Sequence, residues 1–342
     1  MMLDAEQVTM PNTYLRLFHR MLGAAPALLE GTGETVARLD KLDGRNSHAA
    51  YERFVLNAIR YFTQPDVGLQ MGRINRLANM HGQLSTAVAN ADSMLDCLKL
   101  VLRYGALRNP GVRFQWVEVG DHVGIDFAFR VEMGQGAVSI KETFMLAIDA
   151  LVATVSGEHA ARSRIEFDYP EPGYVSSYRA SFVPRTLQFS QPHLRYLVPR
   201  DSLMLSTELE ADSALRDQAV SRLEMQLSHA VSQMGIADQV DVVFANNPGH
   251  LWRLSEVAEA LNLSPRTLQR RLRGAGINYQ QLLGRWLMSQ ARQLLASPGH
   301  SVESVAVLLG YADVSNFRQA CRRLTGQSPQ ALRQSLQTDL SR

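Results

Sequence analysis

Cysteine is scarce in this chain: Cys97 and Cys321 are the two in 342 residues, too few for a disulfide framework. They lie far apart, each inside a helix-like apolar pattern, which fits reduced, buried thiols. The nine histidines stand singly. With no pair at i, i+4 and no Cys-x-x-Cys spacing, nothing brings zinc ligands onto one face, and neither a metal site nor a cofactor is expected. No run of about eighteen apolar residues occurs. The first residues also lack a basic segment followed by an apolar stretch and a small-residue cleavage site. The expectation is a cytoplasmic chain with no membrane partner.

Enzyme signatures are missing too. There is no Gly-x-Ser-x-Gly, no phosphate-binding glycine loop and no His-Glu-x-x-His. Gly134-Gln135-Gly136 lacks both the third glycine and the preceding strand of a dinucleotide-binding turn. No catalytic residue is expected. The paired acids Glu30 and Glu34, and the triplet Glu208, Glu210 and Asp212, read as solvated or helix-N-terminal carboxylates.

Lysine is absent from His250 to Arg342, and arginine takes its place. That segment holds twelve arginines against five acids, a net charge of +7, whereas the remainder carries 23 basic and 28 acidic residues, a net −5. Such asymmetry suits a polyanionic partner, because each phosphate neutralised releases condensed counterions; a solvated basic face gives the same count. With 46% hydrophobic and 20% charged residues, the chain is long enough for two cored domains.

Periodicity favours the polyanion. Leu254, Val257, Ala258 and Leu261 recur at helical spacing. Asn262 follows where a helix end tolerates left-handed backbone angles, and Ser264-Pro265 reads as an N-cap and first helical residue. In the next helix Leu268 and Leu272 face inward, leaving Arg266, Gln269, Arg270 and Arg273 together on the opposite face. Two short helices joined so tightly form a helix-turn-helix, over 254–273. The arrangement recurs 48 residues on, over 302–324, with Val302, Val305, Ala306 and Leu309, then Gly310-Tyr311, then Phe317 and Cys321. The second turn carries one extra residue, and Asp313, or Ser315 for a later start, caps its second helix. Tyr279 to Leu295 reads as a linking helix of about 25 Å, ended by Ser297-Pro298-Gly299.

These residues closely resemble the DNA-binding domain of AraC/XylS-type regulators. The match rests on Leu-Ser-Pro-Arg-Thr-Leu-Gln-Arg-Arg-Leu (263–272), Ala-Arg-Gln-Leu-Leu (291–295), Gly-Tyr-Ala-Asp-Val-Ser-Asn-Phe-Arg-Gln-Ala-Cys-Arg-Arg (310–323) and Thr-Gly-Gln-Ser-Pro (325–329). The family usually has Phe where Cys321 stands, a change expected to cost some packing. The resemblance implies double-stranded DNA as partner and base contacts from Arg266, Gln269 and Arg270. Arginine can pair with guanine O6 and N7 and glutamine with adenine N6 and N7. The matching positions in the second unit are Ser315, Asn316 and Gln319, flanked by Arg318 and Arg322. Arg273, Arg318 and Arg322 are equally suited to phosphate. Each of these side chains could instead be an ordinary solvated one.

Ahead of this domain, expected at 247–342, the pattern is α+β over 25–240, after an N-terminal extension of residues 1–24. Ala49–Phe62, Leu95–Tyr104 and Glu142–Val155 read as helices. Arg113–Val119 and Val123–Val131 read as a hairpin turning at Gly120-Asp121. Arg164–Tyr169, Thr186–Ser190 and Arg195–Val198 read as short strands, and Asp212–Met234 as a long amphipathic helix. The methionines and leucines at 133, 145, 146 and 151 read as core. Residues 25–205, through Met71-Gly72, Asp92-Ser93-Met94-Leu95, Leu-Arg-Tyr (102–104) and Glu-Val-Gly-Asp (118–121), resemble the sensing domain called arabinose-binding in one branch of these regulators. That resemblance implies a small-molecule effector, though not arabinose, and names no residue for it. The alternative is a domain that only oligomerises or contacts a protein. A homodimer is expected through this domain or through Asp212–Met234, whose incomplete apolar seam could instead pack on its own domain. An activator would also contact RNA polymerase.

Overall fold

Helical spacing of apolar residues and one tight hairpin set the order of elements in the computed structural model, which describes residues 2–41, 44–77, 80–156, 161–204, 211–245, 250–296 and 300–340. The chain divides between Leu227 and Ser228 into two units. The first contains β1 (Thr9–Pro11), α1 (Thr13–Met21), α2 (Val36–Leu39), β2 (Arg45–Ser47), α3 (His48–Phe62), α4 (Val67–Leu77), α5 (Gln83–Ala89), α6 (Met94–Arg108), β3 (Val112–Val119) and β4 (His122–Phe129). It continues with α7 (Ala137–Ser156), β5 (Arg164–Glu166), α8 (Val175–Ser181), β6 (Thr186–Gln188), β7 (Leu194–Pro199) and the greater part of α9 (Ser213–Gln233). The second is all helical: α10 (Ile236–Ala245), α11 (Leu254–Ala260), α12 (Pro265–Gly274), α13 (Tyr279–Ala296), α14 (Val302–Leu308), α15 (Val314–Thr325) and α16 (Pro329–Leu340). An α+β unit thus precedes an all-α one, as the sequence leads one to expect.

The first unit is built on a five-stranded sheet of order β3-β4-β7-β5-β6, antiparallel except for the β5–β6 pair. β3 and β4 are joined by a two-residue turn with Val119 opposite His122, and Gly120 at φ 62° supplies the left-handed residue that so short a turn needs. Val123, Ile125 and Phe127 alternate onto the buried face of β4 and pack in one core with residues of α6 and α7. Met145, Leu146 and Leu151 belong to that core, and Met133 packs partly buried on a second one. Gly68 and Gly72, one helical turn apart, let α4 lie against α7: a Cβ at Gly72 would stand 2.6 Å from the Leu146 Cβ.

Residues 1–24 are not an extension. Met10 of β1 and Leu15 and Phe18 of α1 are buried in a second core with Leu28, Phe54 and Val55. An apolar pattern over the nine residues of α1 is too short to stand out in sequence, and it finds its surface on residues of α2, α3 and α4 in the folded chain. The boundary expected between 240 and 247 also moves, since α10 buries Val240, Val243 and Phe244 in the helical unit's core. Along α9, Ala219 and Leu223 are buried and Leu227 partly so against the first unit's core, so the seam packs on its own domain. Asp212 caps this helix, its Oδ1 accepting from the amides of Ala214 (2.9 Å) and Leu215 (3.1 Å). Glu34 pairs with Arg38 at 3.5 Å. Glu208, Glu210 and the Ser297-Pro298-Gly299 breaker lie outside the described residues.

Glu142, on α7, is fully buried and accepts from the hydroxyls of Tyr174 (2.7 Å) and Tyr178. Burial pushes its carboxyl up from the ordinary 4.5 to about 7, outweighing the two hydroxyls that act the other way. The folded chain therefore holds this proton more tightly than the unfolded one. Its contribution to stability is present below about pH 4.5 and is lost as pH rises through about 7. Across that window the wild type should lose about 3 kcal/mol relative to Glu142→Gln, which keeps the shape without the charge. Urea unfolding of both proteins at a series of pH values measures the difference; parallel curves would remove Glu142 as its source.

Candidate nucleic-acid interface

The two helix-turn-helix units are the same local structure written twice. In the first, α11 starts at Arg253, whose amide donates to Glu256 Oε2 at 2.7 Å. That bond, and then His250 at 3.2 Å, hold the Glu256 carboxyl below its usual range. The helix ends with Asn262 at φ 54° and the Leu263 amide donating to the Ala258 carbonyl at 2.8 Å. In the second, α14 ends with Gly310 at φ 76° and the Tyr311 amide donating to Ala306 at 3.0 Å. Both are left-handed helix terminations that satisfy otherwise orphaned carbonyls.

The copies then part by one residue. Ser264 caps α12, its Oγ accepting from the Thr267 amide at 3.1 Å. Asp313 caps α15, its Oδ1 accepting from the Asn316 amide at 2.7 Å, so the second recognition helix begins at Val314 and not after Ser315. Inward, Val257, Ala258, Leu268 and Leu272 correspond to Val305, Ala306, Phe317 and Cys321, all buried in one core. Cys321 is fully enclosed, and burial pushes its thiol up. The Phe317 ring lies 5.4 Å from that of Tyr311.

One helix holds the copies together. The 18 residues of α13 span about 27 Å, and Leu282, Leu283, Leu287, Ala291 and Leu295 along it are buried in the shared core. Trp286 packs its ring 5.4 Å from Phe244 of α10. α16 closes the far end with Leu332 buried and Arg333 donating to the His300 carbonyl at 2.5 Å.

The outward faces of the two recognition helices differ. Arg266, Gln269, Arg270 and Arg273 are all exposed on α12, opposite Leu268 and Leu272, and their side chains make no hydrogen bond or ion pair to another described residue. Arg271 is exposed beside them, a fifth donor whose only signal in sequence is the Arg270-Arg271 doublet. On α15, Ser315, Asn316, Arg318, Gln319 and Arg322 are likewise exposed. Two of these five are already engaged: the Asn316 amide donates to Asp313 Oδ2 at 2.7 Å, and Arg318 pairs with Glu303 of α14 at 3.2 Å. Neither contact was legible in the spacing, because the cap at Asp313 does not fix the Asn316 rotamer and a side chain on a neighbouring helix leaves no periodic mark.

Two helix-turn-helix units on one linking helix, the first bearing a basic face unpaired among the described residues, define a double helix-turn-helix domain. Comparison with known proteins agrees. Residues 257–335 match the family model described as a helix-turn-helix domain, and residues 23–206 match that described as the arabinose-binding domain of AraC transcription regulator, N-term. The chain belongs to the AraC family of transcription regulators, and its helical unit is that family's DNA-binding domain. It is 26% identical over 298 residues to the ornithine utilization regulator of Pseudomonas aeruginosa, covering 87% of each chain. It is 26% identical over 296 residues to the HTH-type transcriptional regulator VirS of Mycobacterium tuberculosis, covering 85% of each. These relatives are transcriptional regulators, not enzymes. The crystal structure of transcriptional regulator CdpR from Pseudomonas aeruginosa shares 22% identity with it, at a TM-score of 0.46 over 94% of this chain and 96% of that one. No helix among the described residues is long and apolar enough to cross a membrane.

Proposed function

We propose that this regulator acts in the cytoplasm and reads an asymmetric DNA site, α12 and α15 entering successive major-groove segments on one face of the duplex, under the control of a small molecule bound by the first unit. The observation that carries the DNA part is the α12 face: four long polar side chains, aligned and without partners among the described residues. Free guanidinium and amide groups at that spacing can satisfy base edges without first breaking an internal bond. On α15, Asn316 and Arg318 must give up their contacts with Asp313 and Glu303 before they reach DNA. Discrimination is therefore concentrated in Arg266, Gln269 and Arg270. Ser315 and Gln319 supply the second half-site, and Arg273, Arg318 and Arg322 hold phosphate. α13, at about 27 Å, together with its flanking turns, suits the roughly 34 Å repeat of the duplex.

Binding-site selection from a random pool tests these roles. Arg270→Ala should cost about 1–3 kcal/mol and relax base preference in one half of the site, whereas Arg322→Ala should weaken all sequences alike. An unchanged preference in Arg270→Ala, with an altered one in Arg322→Ala, would reverse the assignment.

We place a homodimer contact on the first unit, away from the seam of α9 that its own core covers. Sedimentation across micromolar concentrations should show self-association, at least with operator DNA present. A single monomeric species in both conditions excludes the dimer.

A further inference from the structure

Within the first unit, α1, α3, α5, α6, α7 and β3 surround a cavity of 60 Å³, several times the roughly 10–15 Å³ that one water needs on the same measure. Its walls are of two kinds. One side is apolar, with Val101, Phe114, Phe144, Ile148 and Leu151. The Phe114 ring keeps its place there because residue 105 of α6 is glycine: a Cβ would stand 2.5 Å from Cε1 of that ring.

The other side presents Tyr14, His81 and Arg108, and no Asp or Glu is among the described residues that line the cavity. Arg108 donates to the Met80 carbonyl at 2.8 Å and through Nε to the Tyr14 hydroxyl at 3.4 Å, and forms no ion pair with a described residue. The same hydroxyl lies 2.9 Å from His81 Nδ1. In the tautomer whose proton sits on Nε2, this hydroxyl accepts from Arg108 and donates to Nδ1. Burial, and then the charge of Arg108, push His81 down to about 3, so the ring is neutral near pH 7. Its Nε2 is buried and has no partner. This end of the cavity thus sets a guanidinium without a carboxylate beside two buried polar atoms that have no partner, His81 Nε2 and Asn109 Oδ1, a costly arrangement that a bound polar group would relieve.

We propose that this cavity is the effector site and that its ligand is a small organic monoanion, a carboxylate on an apolar body. The carboxylate accepts from Arg108 and His81, and the body lies against Phe114, Phe144 and Leu151. The proposal rests on the effector-responsive reading above and supplies its site and ligand class. A ligand that supplies the missing acceptor stabilises the folded chain in proportion to its binding.

Thermal unfolding of the full chain tests it, with butanoate, 3-methylbutanoate, hexanoate and phenylacetate at millimolar concentration, each compared with its amide and the corresponding amine. At least one carboxylate should raise the melting temperature by about 2–6 °C at saturation, with its amide and amine inactive. Arg108→Gln should weaken that carboxylate about tenfold or more through loss of the charge-assisted bonds. Ala147→Leu fills the cavity from α7 and leaves Arg108 in place; it should abolish the shift, and it carries the test should Arg108→Gln not melt cooperatively. No shift with any carboxylate, or a shift only with amides or amines, overturns the proposal. A carboxylate shift that both variants keep overturns the site and leaves effector response standing. Failure of the DNA-binding reading is separate: the unliganded full chain would then select no sequence from a random DNA pool.

Discussion

Raising monovalent salt from about 50 to about 200 mM should weaken binding of this regulator to its operator about 10²- to 10³-fold. The expectation follows from the arginines that the two recognition helices leave exposed. Arg266, Arg270, Arg271 and Arg273 on α12, with Arg322 and Arg323 on α15, have no internal partner among the described residues. Some of them go to base edges, which leaves about four to six cationic side chains for phosphate once the helix flanks are included. At a slope of roughly −0.9 per phosphate, a fourfold rise in salt gives the stated range. Arg318 contributes less, because its pairing with Glu303 at 3.2 Å is given up on binding and weakened by the same salt. Fluorescence anisotropy of a labelled operator across a salt series measures the slope. A slope near zero would mean that the basic faces of α12 and α15 do not meet the DNA backbone.

Asp149→Ala should cost the first unit about 3–5 kcal/mol. Asp149 is fully buried in α7, with Arg185 Nε at 2.6 Å and the hydroxyl of Tyr196, on β7, donating to Oδ1 at 2.8 Å. The Arg185 side chain is 5% exposed, so removing the carboxylate strands a guanidinium where water barely reaches. Asp149→Asn keeps an acceptor for Tyr196 and loses the charge, and should fall between the two. Replacing both partners with apolar residues should cost far less than Asp149→Ala, because the desolvation of both ions disappears together. Urea unfolding followed by circular dichroism gives the free energies. A loss under about 1 kcal/mol for Asp149→Ala would mean the cluster is hydrated in solution.

The helical unit was legible because its determinants are local. Ser264, Pro265, Asn262 and Gly310 act within one turn of the helices they start or stop, and Leu268/Leu272 and Phe317/Cys321 mark the inner face at a spacing of four. The helix that begins at Ile236 escaped, because seven of its ten residues are apolar and so mark no single face, and their partners lie on α11, α12 and α13, further along the chain. On α15 the outward positions could be named but not their state. That the Asn316 amide is bound to Asp313 and the Arg318 guanidinium to Glu303 depends on rotamers and on how α14 lies beside α15.

In the α+β unit the sequence determined the hairpin at Gly120, the long helices α3, α6 and α7 and the strands beside them, since alternation and helical period are written into neighbouring residues. The tertiary structure decided what those elements do together. The sheet order β3-β4-β7-β5-β6, the seating of α4 on α7 at Gly68 and Gly72, and the pairing of Asp149 with Arg185 join residues dozens of positions apart. The meeting of Tyr14, His81 and Arg108 at one end of an apolar cavity spans still more of the chain. Contacts of that range are fixed by packing volume and by the need to satisfy buried charge, and neither imposes a period on the sequence.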